Sequence, residues 1–342
     1  MVTEYISKEE YIDEIIKKAN DYEQTVIALL AFANHARWNE SLQNYISRSY
    51  FSFGRRMDPE KGESVTPDLI VQKTEHYGII IEAKKGFPQD KKYWSKDLDQ
   101  LKSYDGKLKG WFTEDQFIKI SDIVLLTHYT KGPAISKFIE ERFQEGELSF
   151  RNNFSIVTFV ISEEVAQFID LEKRFGKIYD KYLDDSLKNI RAIPIEKLLL
   201  AERRGIKFYD SEPPMPYLLQ ILWISVFNHM KEDHTYDYER RCTPIPIEIQ
   251  GLTETLQKYF GFESVRERDP EIPKKKWVKK ALNILVESKH AEVNDKYPSE
   301  YIILYKPKRG DILDNFAKIC YYIEHKRFRI KRKDKKQLEL PI

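Results

Sequence analysis

The stretch that most constrains this chain is Thr66-Pro67-Asp68-Leu69-Ile70-Val71, followed by Gly78-Ile79-Ile80-Ile81-Glu82-Ala83-Lys84. Two short apolar runs flank the polar turn Thr74-Glu75-His76-Tyr77, which is the pattern of a β-hairpin. Folding about that turn brings Asp68 opposite the segment from Glu82 to Lys84. Glu82 and Lys84 are two apart, so they project from one face of a strand. Two acids and a lysine then converge at one end of a sheet, beside runs that are normally buried. Buried charge needs a compensating partner. A divalent cation is a suitable one, because hard cations take carboxylate oxygens.

With 342 residues the chain has room for two domains and a sizeable core. Its net charge is only +2, so any nucleic-acid surface has to come from local clusters of basic residues. Cys242 and Cys320 are widely spaced and read as free thiols of a reducing cytosol, not as a disulfide or a zinc site. The N-terminus lacks the pattern of a signal peptide. The longest apolar stretch, Leu218 to Phe227, is too short to cross a bilayer. These features lead us to expect a cytoplasmic protein with no membrane partner.

In chain order, residues 8–20 and 22–47 read as helices, the second carrying Glu40 toward the hairpin. A strand is expected over 50–53, a polar loop containing Glu63 over 57–65, and then the hairpin. A helix over 93–108 places Gln100 and Tyr104 four apart on one face. Buried strands are expected at 118–127 and 154–161, with a helix at 135–145 between them. Helical pieces are expected at 165–182 and 194–203. This order predicts an α/β domain with a mixed sheet flanked by helices, spanning residues 1–210 with a connector. The proline-rich segment Ser211 to Pro216 marks a boundary. Beyond it, helices at 217–230, 247–259 and 274–288, a hairpin at 291–305 and a last helix at 311–326 give an α+β winged-helix pattern over 211–327. Residues 328–342 read as a basic, flexible tail.

The hairpin resembles the signature of the PD-(D/E)xK, or restriction-endonuclease-like, nuclease superfamily: Pro67-Asp68, thirteen intervening residues, then Glu82-Ala83-Lys84. The resemblance covers about residues 20–165. Gln100 and Tyr104 match the Gln-x-x-x-Tyr helix motif of the RecB-like branch, whose pair organises the active site and contacts DNA. The resemblance implies a Mg²⁺- or Mn²⁺-dependent deoxyribonuclease. Asp68, Glu82 and the carbonyl of Ala83 would hold the metal, and Lys84 would orient or help deprotonate the attacking water. Glu40 would be the upstream acid, with Glu63 as its competitor. A homodimer is one arrangement that this fold supports.

In the winged-helix pattern, Lys274, Lys275, Lys276, Lys279 and Lys280 lie at the start of the third helix, suited to DNA phosphates. The last six residues, Gln337-Leu338-Glu339-Leu340-Pro341-Ile342, resemble the hexapeptide that docks on the bacterial sliding clamp. Ile342 replaces the usual final Leu or Phe. Gln337 would bond a rim, and Leu338, Leu340 and Ile342 would fill apolar pockets. The order of nuclease then winged helix also looks like the endonuclease subunit of heteromeric transposases, a likeness of architecture alone. Repair, defence and mobile-element processing all suit this reading. The rival is a DNA-binding adaptor that keeps the nuclease fold without its activity.

Overall fold

A computed structural model describes residues 7–39, 44–45, 49–84, 94–112, 117–162, 168–188, 192–195, 205–262, 268, 270–294, 296–308 and 310–338. The chain divides into two compact units. Gln24–Ser211 and Lys258–Ile272 form one; Met1–Glu23, Glu212–Gln257 and Pro273–Ile342 form the other.

The first helix, α1 (Lys8–Arg37), is continuous, where the sequence reading has two helices running to residue 47. No Gly or Pro interrupts residues 8–37, so nothing breaks the backbone ladder at residue 21. Short paired strands β1 (Trp38–Asn39) and β2 (Asn44–Tyr45) follow, and the helix therefore ends before Glu40. The start of α1 is tied into the second unit, a correction to its expected place in the first. Tyr11 packs edge-on against Tyr321 and donates to Glu324, and Tyr22 packs against Tyr217 with ring centroids 5.2 Å apart.

The first unit is built on a seven-stranded mixed sheet. Its elements are β3 (Tyr50–Phe53), β4 (Asp58–Pro59), β5 (Leu69–Thr74), β6 (Tyr77–Lys84), α2 (Trp94–Ser103), β7 (Leu108–Lys109), β8 (Ile120–His128), α3 (Gly132–Gln144), β9 (Asn153–Ser162), β10 (Phe168–Gly176), α4 (Lys181–Ser186) and β11 (Ile193–Pro194). The strand order is β11-β10-β9-β8-β6-β5-β3. The central strands β6, β8 and β9 are parallel, and the outer pairings are antiparallel. The expected hairpin forms, with Thr74 paired to Tyr77 and the turn itself at Glu75-His76. Strands buried on both faces read as continuous apolar runs, and both faces of β5, β6 and β8 are indeed buried.

One face holds a core of Ile70, Ile80, Ile123, Leu125 and Ile156 under Leu101 and Tyr104 of the α2 region and Ile135, Phe138 and Ile139 of α3. The two crossover helices therefore cover the same side. Trp111 is fully buried against this core and lies directly over Gly78: a Cβ there would sit 2.2 Å from its ring. Glycine in mid-strand is the condition for that close approach.

Two expectations in this unit fail. Residues 165–182 contain β10, an antiparallel strand on β9, where a helix is expected. Ile169 and Leu171 alternate with partly exposed neighbours, a period of two that charges and a register shift near Lys173 obscure. The helix expected over 93–108 ends at Ser103, where Asp105-Gly106 turns the chain. Most of the helix expected at 194–203 lies outside the described residues.

The second unit contains α5 (Met215–Ile221), extended by a π-helical stretch (Leu222–Phe227), then β12 (Thr243–Glu248), α6 (Ile249–Phe260), α7 (Lys275–Glu287), β13 (Ala291–Asn294), β14 (Tyr297–Tyr305) and α8 (Ile312–Leu338). Its sheet has the antiparallel order β12-β14-β13. Strand β12 has no counterpart in the sequence reading because Pro244 and Pro246 argue against a strand. Both prolines have the same parity and so lie on one edge of it. As β12 is an edge strand, it can leave one side unpaired, while Thr243, Ile245 and Ile247 are buried. Helix α8 runs to Leu338, so the expected flexible tail is helical over most of its length. Its Lys, Arg, Gln and Leu residues are all good helix formers.

Candidate active site

Asp68 immediately precedes β5, and Leu69 pairs with Ile81, so the ladder sets Asp68 opposite Glu82. Ile70 and Ile80 belong to the face covered by α2 and α3. Asp68, Glu82 and Lys84 continue that face toward the carboxyl end of β6, two residues at a time. The residue types change from isoleucine to charge just where the strand leaves the apolar core. Ligands of open α/β sheets commonly bind outside such carboxyl ends.

Helix α2 and the turn residue just after it, Tyr104, supply the rest. Gln100 Nε2 donates to Glu82 Oε1 at 2.8 Å and to Tyr104 Oη at 3.0 Å. Tyr104 Oη donates to Glu82 Oε2 at 2.7 Å, so both oxygens of Glu82 are held. Lys84 Nζ donates to Gln100 Oε1 at 2.7 Å and lies 3.1 Å from Glu82 and 3.2 Å from Asp97. The Ala83 N–H donates to Asp68 Oδ2 at 2.8 Å. In an extended strand a residue's N–H and C=O point to the same edge. The Ala83 carbonyl is therefore on the edge that Asp68 occupies.

The electrostatics are unbalanced. Burial pushes the Asp68 carboxyl well above its usual range, and the charge of Glu82 adds to the rise, against the Ala83 N–H and Lys84. Burial also raises Glu82, with Lys84 and Tyr104 opposing. For Lys84, burial would lower the pKa, but Glu82 and Asp97 outweigh it and raise it. Lys84 is thus an ammonium, suited to neutralising charge and ordering water more than to taking up a proton. Asp68, Glu82 and Asp97 together face this one ammonium, an excess of two negative charges when all are ionised.

This donor set fits a hard divalent cation. Mg²⁺ is commonly held by one or two carboxylates, with waters and substrate phosphate completing its shell. Among the described residues no group of three or more His, Cys, Asp or Glu forms a fuller ligand set. Glu40 lies outside the described residues, and Glu63 is exposed in the loop before β5.

Two neighbours were missed by sequence reasoning. Asp97 is three residues before Gln100 on the same helix, so its spacing could have flagged it. Thr127 is the parallel register partner of Lys84, lies on the same face as Ile123 and Leu125, and is fully buried. Its hydroxyl has no hydrogen-bond partner among the described residues. Nothing in the sequence distinguishes it from the apolar residues around it.

The lysines of α7 and of its N-cap, Lys274, are not equivalent. Lys275 donates to Gln250 at 2.8 Å, Lys280 pairs with Glu212 at 2.7 Å, and Lys274 lies over the Trp277 ring. Lys276, Lys279 and Lys280 line a cavity of about 370 Å³ with Met215, Asn283 and Cys320. In the clamp-like peptide, Gln337 and Leu338 are in the last turn of α8, not in an extended segment, and Leu340 and Ile342 lie outside the described residues.

Comparison with known proteins finds no matching protein family, no matching curated protein and no matching solved structure. No helix among the described residues is long and apolar enough to cross a membrane.

Proposed function

We propose that this protein is a metal-dependent nuclease that hydrolyses DNA phosphodiesters with Asp68, Glu82 and Lys84. The observation that carries the reading is the site itself. Two raised carboxylates and an ammonium sit at the carboxyl end of a central strand, with Glu82 fixed on both oxygens by Gln100 and Tyr104. The mixed sheet with its hairpin and parallel core suits a restriction-endonuclease-like fold, and the three-stranded sheet with α5, α6 and α7 suits a winged helix.

Asp68, Glu82 and the Ala83 carbonyl would hold Mg²⁺ or Mn²⁺. The cation, when bound, would activate water and offset charge on the transferring phosphoryl group. The chain's own residues do the rest. Gln100 and Tyr104 hold Glu82 in one rotamer, so its oxygens need no reorganisation on ligand entry. The Ala83 N–H fixes Asp68 in the same way. Lys84, tethered to Gln100, presents a positive charge where the phosphate oxygens would lie. Lys276 and Lys279 of α7 would grip DNA phosphates, and the C-terminal peptide would reach a sliding clamp after the last turn of α8 unwinds.

Incubation of the full chain with supercoiled plasmid and Mg²⁺ or Mn²⁺ tests the reading. Wild type should nick or linearise the plasmid, and Lys84→Ala should lower the rate by at least a hundredfold, about 2.7 kcal/mol. Intact plasmid across both metals, with linear, single-stranded and branched DNA equally untouched, supports the adaptor reading instead.

A further inference from the structure

The carboxylate pair has a neighbour from far along the chain. Gly54 follows β3, and its N–H donates to the carbonyl of Asp68 at 3.2 Å, so the two residues are adjacent across the strand pair. A Cβ built on Gly54 would lie 2.6 Å from Cβ of Asp210, 2.9 Å from Cγ and 3.2 Å from Oδ1. The Asp210 side chain therefore lies against the bare Cα of the residue beside Asp68. Gly54 also has a φ of +61°, in the left-handed region. Glycine satisfies both demands, and any larger residue would drive the Asp210 carboxylate away.

From this juxtaposition we infer that Asp210 is the third acid of the cation site, acting on the metal's shell through its charge and a bridging water. The inference rests on the nuclease reading of the same site and deepens it. Asp210 lies 142 residues after Asp68, beyond every segment that the hairpin motif and the helix motif cover. It does not join Asp68 and Glu82 in a direct three-ligand group. A magnesium ion keeps several waters, so a carboxylate one water away is a normal part of its surroundings. The electrostatics agree. After burial and Glu82, Asp210 is among the charges that raise Asp68, and the adjacent Tyr209 is raised by burial and by the charges of Asp68 and Glu82. The segment Phe208-Tyr209-Asp210 is thus within the field of the carboxylate pair, and its Phe208 and Tyr209 are buried anchors for the acid that follows.

The test is Mn²⁺ titration calorimetry on the metal-free full-length protein, with melting temperature measured before and after metal. Asp210→Asn, which keeps the shape of the side chain and removes its charge, should weaken Mn²⁺ binding about tenfold. Gly54→Ala should weaken binding similarly by displacing Asp210, with every charge kept. Glu82→Gln is the control for the metal site itself. If Glu82→Gln loses Mn²⁺ while Asp210→Asn and Gly54→Ala bind it within twofold of wild type, the role given to Asp210 is wrong and the nuclease reading stands. If Glu82→Gln also binds as wild type does, the metal reading falls and takes the inference with it. A metal-free melting temperature lowered by Asp210→Asn, with Mn²⁺ affinity unchanged, marks Asp210 as structural and overturns the proposal. Should Asp210→Asn not fold, the Gly54→Ala result decides.

Discussion

Tyr104→Phe isolates one atom of the site. The ring of Tyr104 is 1% exposed and belongs to the core face with Ile80 and Leu101, so phenylalanine keeps the packing. What is lost is the hydrogen bond of 2.7 Å to Glu82 Oε2, together with the longer one of 3.0 Å that the hydroxyl accepts from Gln100. Gln100 keeps its own bond to the other oxygen of Glu82. A hydrogen bond to a buried ionised carboxylate contributes about 1.5–3 kcal/mol. Metal binding requires Glu82 ionised, so the substitution raises the energy of the state that binds. At about 1.4 kcal/mol per factor of ten, Mn²⁺ affinity should fall about ten- to a hundredfold. Isothermal titration at neutral pH on wild type and Tyr104→Phe reads this directly, with far-ultraviolet circular dichroism to show that the fold is kept. Mn²⁺ affinity within twofold of wild type would refute the claim that Tyr104 sets the state of Glu82.

Further outcomes follow from the same geometry. Asp68 and Glu82 are raised in the folded protein above their ordinary values of 3.8 and 4.5. The folded state therefore holds protons that the unfolded chain gives up, and metal-free stability should fall as pH rises from that ordinary range through the raised values. Thermal melts without metal should show this loss toward neutral pH and its reversal by Mg²⁺; a flat profile would contradict it. Thr127→Val removes a buried hydroxyl with no partner among the described residues and should stabilise the metal-free protein by about 1 kcal/mol in urea unfolding. A loss of stability would show that the hydroxyl is satisfied. Replacing Lys276 and Lys279 together by alanine should reduce the salt dependence of DNA binding by about one to two in log–log slope. An unchanged slope would remove α7 from the DNA interface.

The site was legible in the sequence to the extent that it follows strand and helix periodicity. Glu82 and Lys84 share a face because they are two apart in a strand, and Gln100 and Tyr104 share one because they are four apart in a helical turn. Their convergence on one another needed only the hairpin and a crossover helix on the same side. Strand β10 was hidden by its charges, and β12 by prolines that only an edge strand tolerates. The helical end of the chain was hidden by a motif that suggested an extended peptide, although its residues favour helix. Asp97 was within reach of the same spacing argument that found Gln100. Asp210 and Thr127 were not, because their place depends on tertiary contacts: the bare Cα of Gly54 in one case and the β6–β8 register in the other.

The central claim is that Asp68 and Glu82 share a divalent cation. Anomalous diffraction from crystals soaked in Mn²⁺ tests it most directly. The account predicts a single strong peak within about 2.5 Å of a carboxylate oxygen of each residue, with the Ala83 carbonyl turned toward it. A map with no peak at the end of β6, or with Mn²⁺ bound elsewhere while Asp68 and Glu82 keep their metal-free geometry, would contradict it.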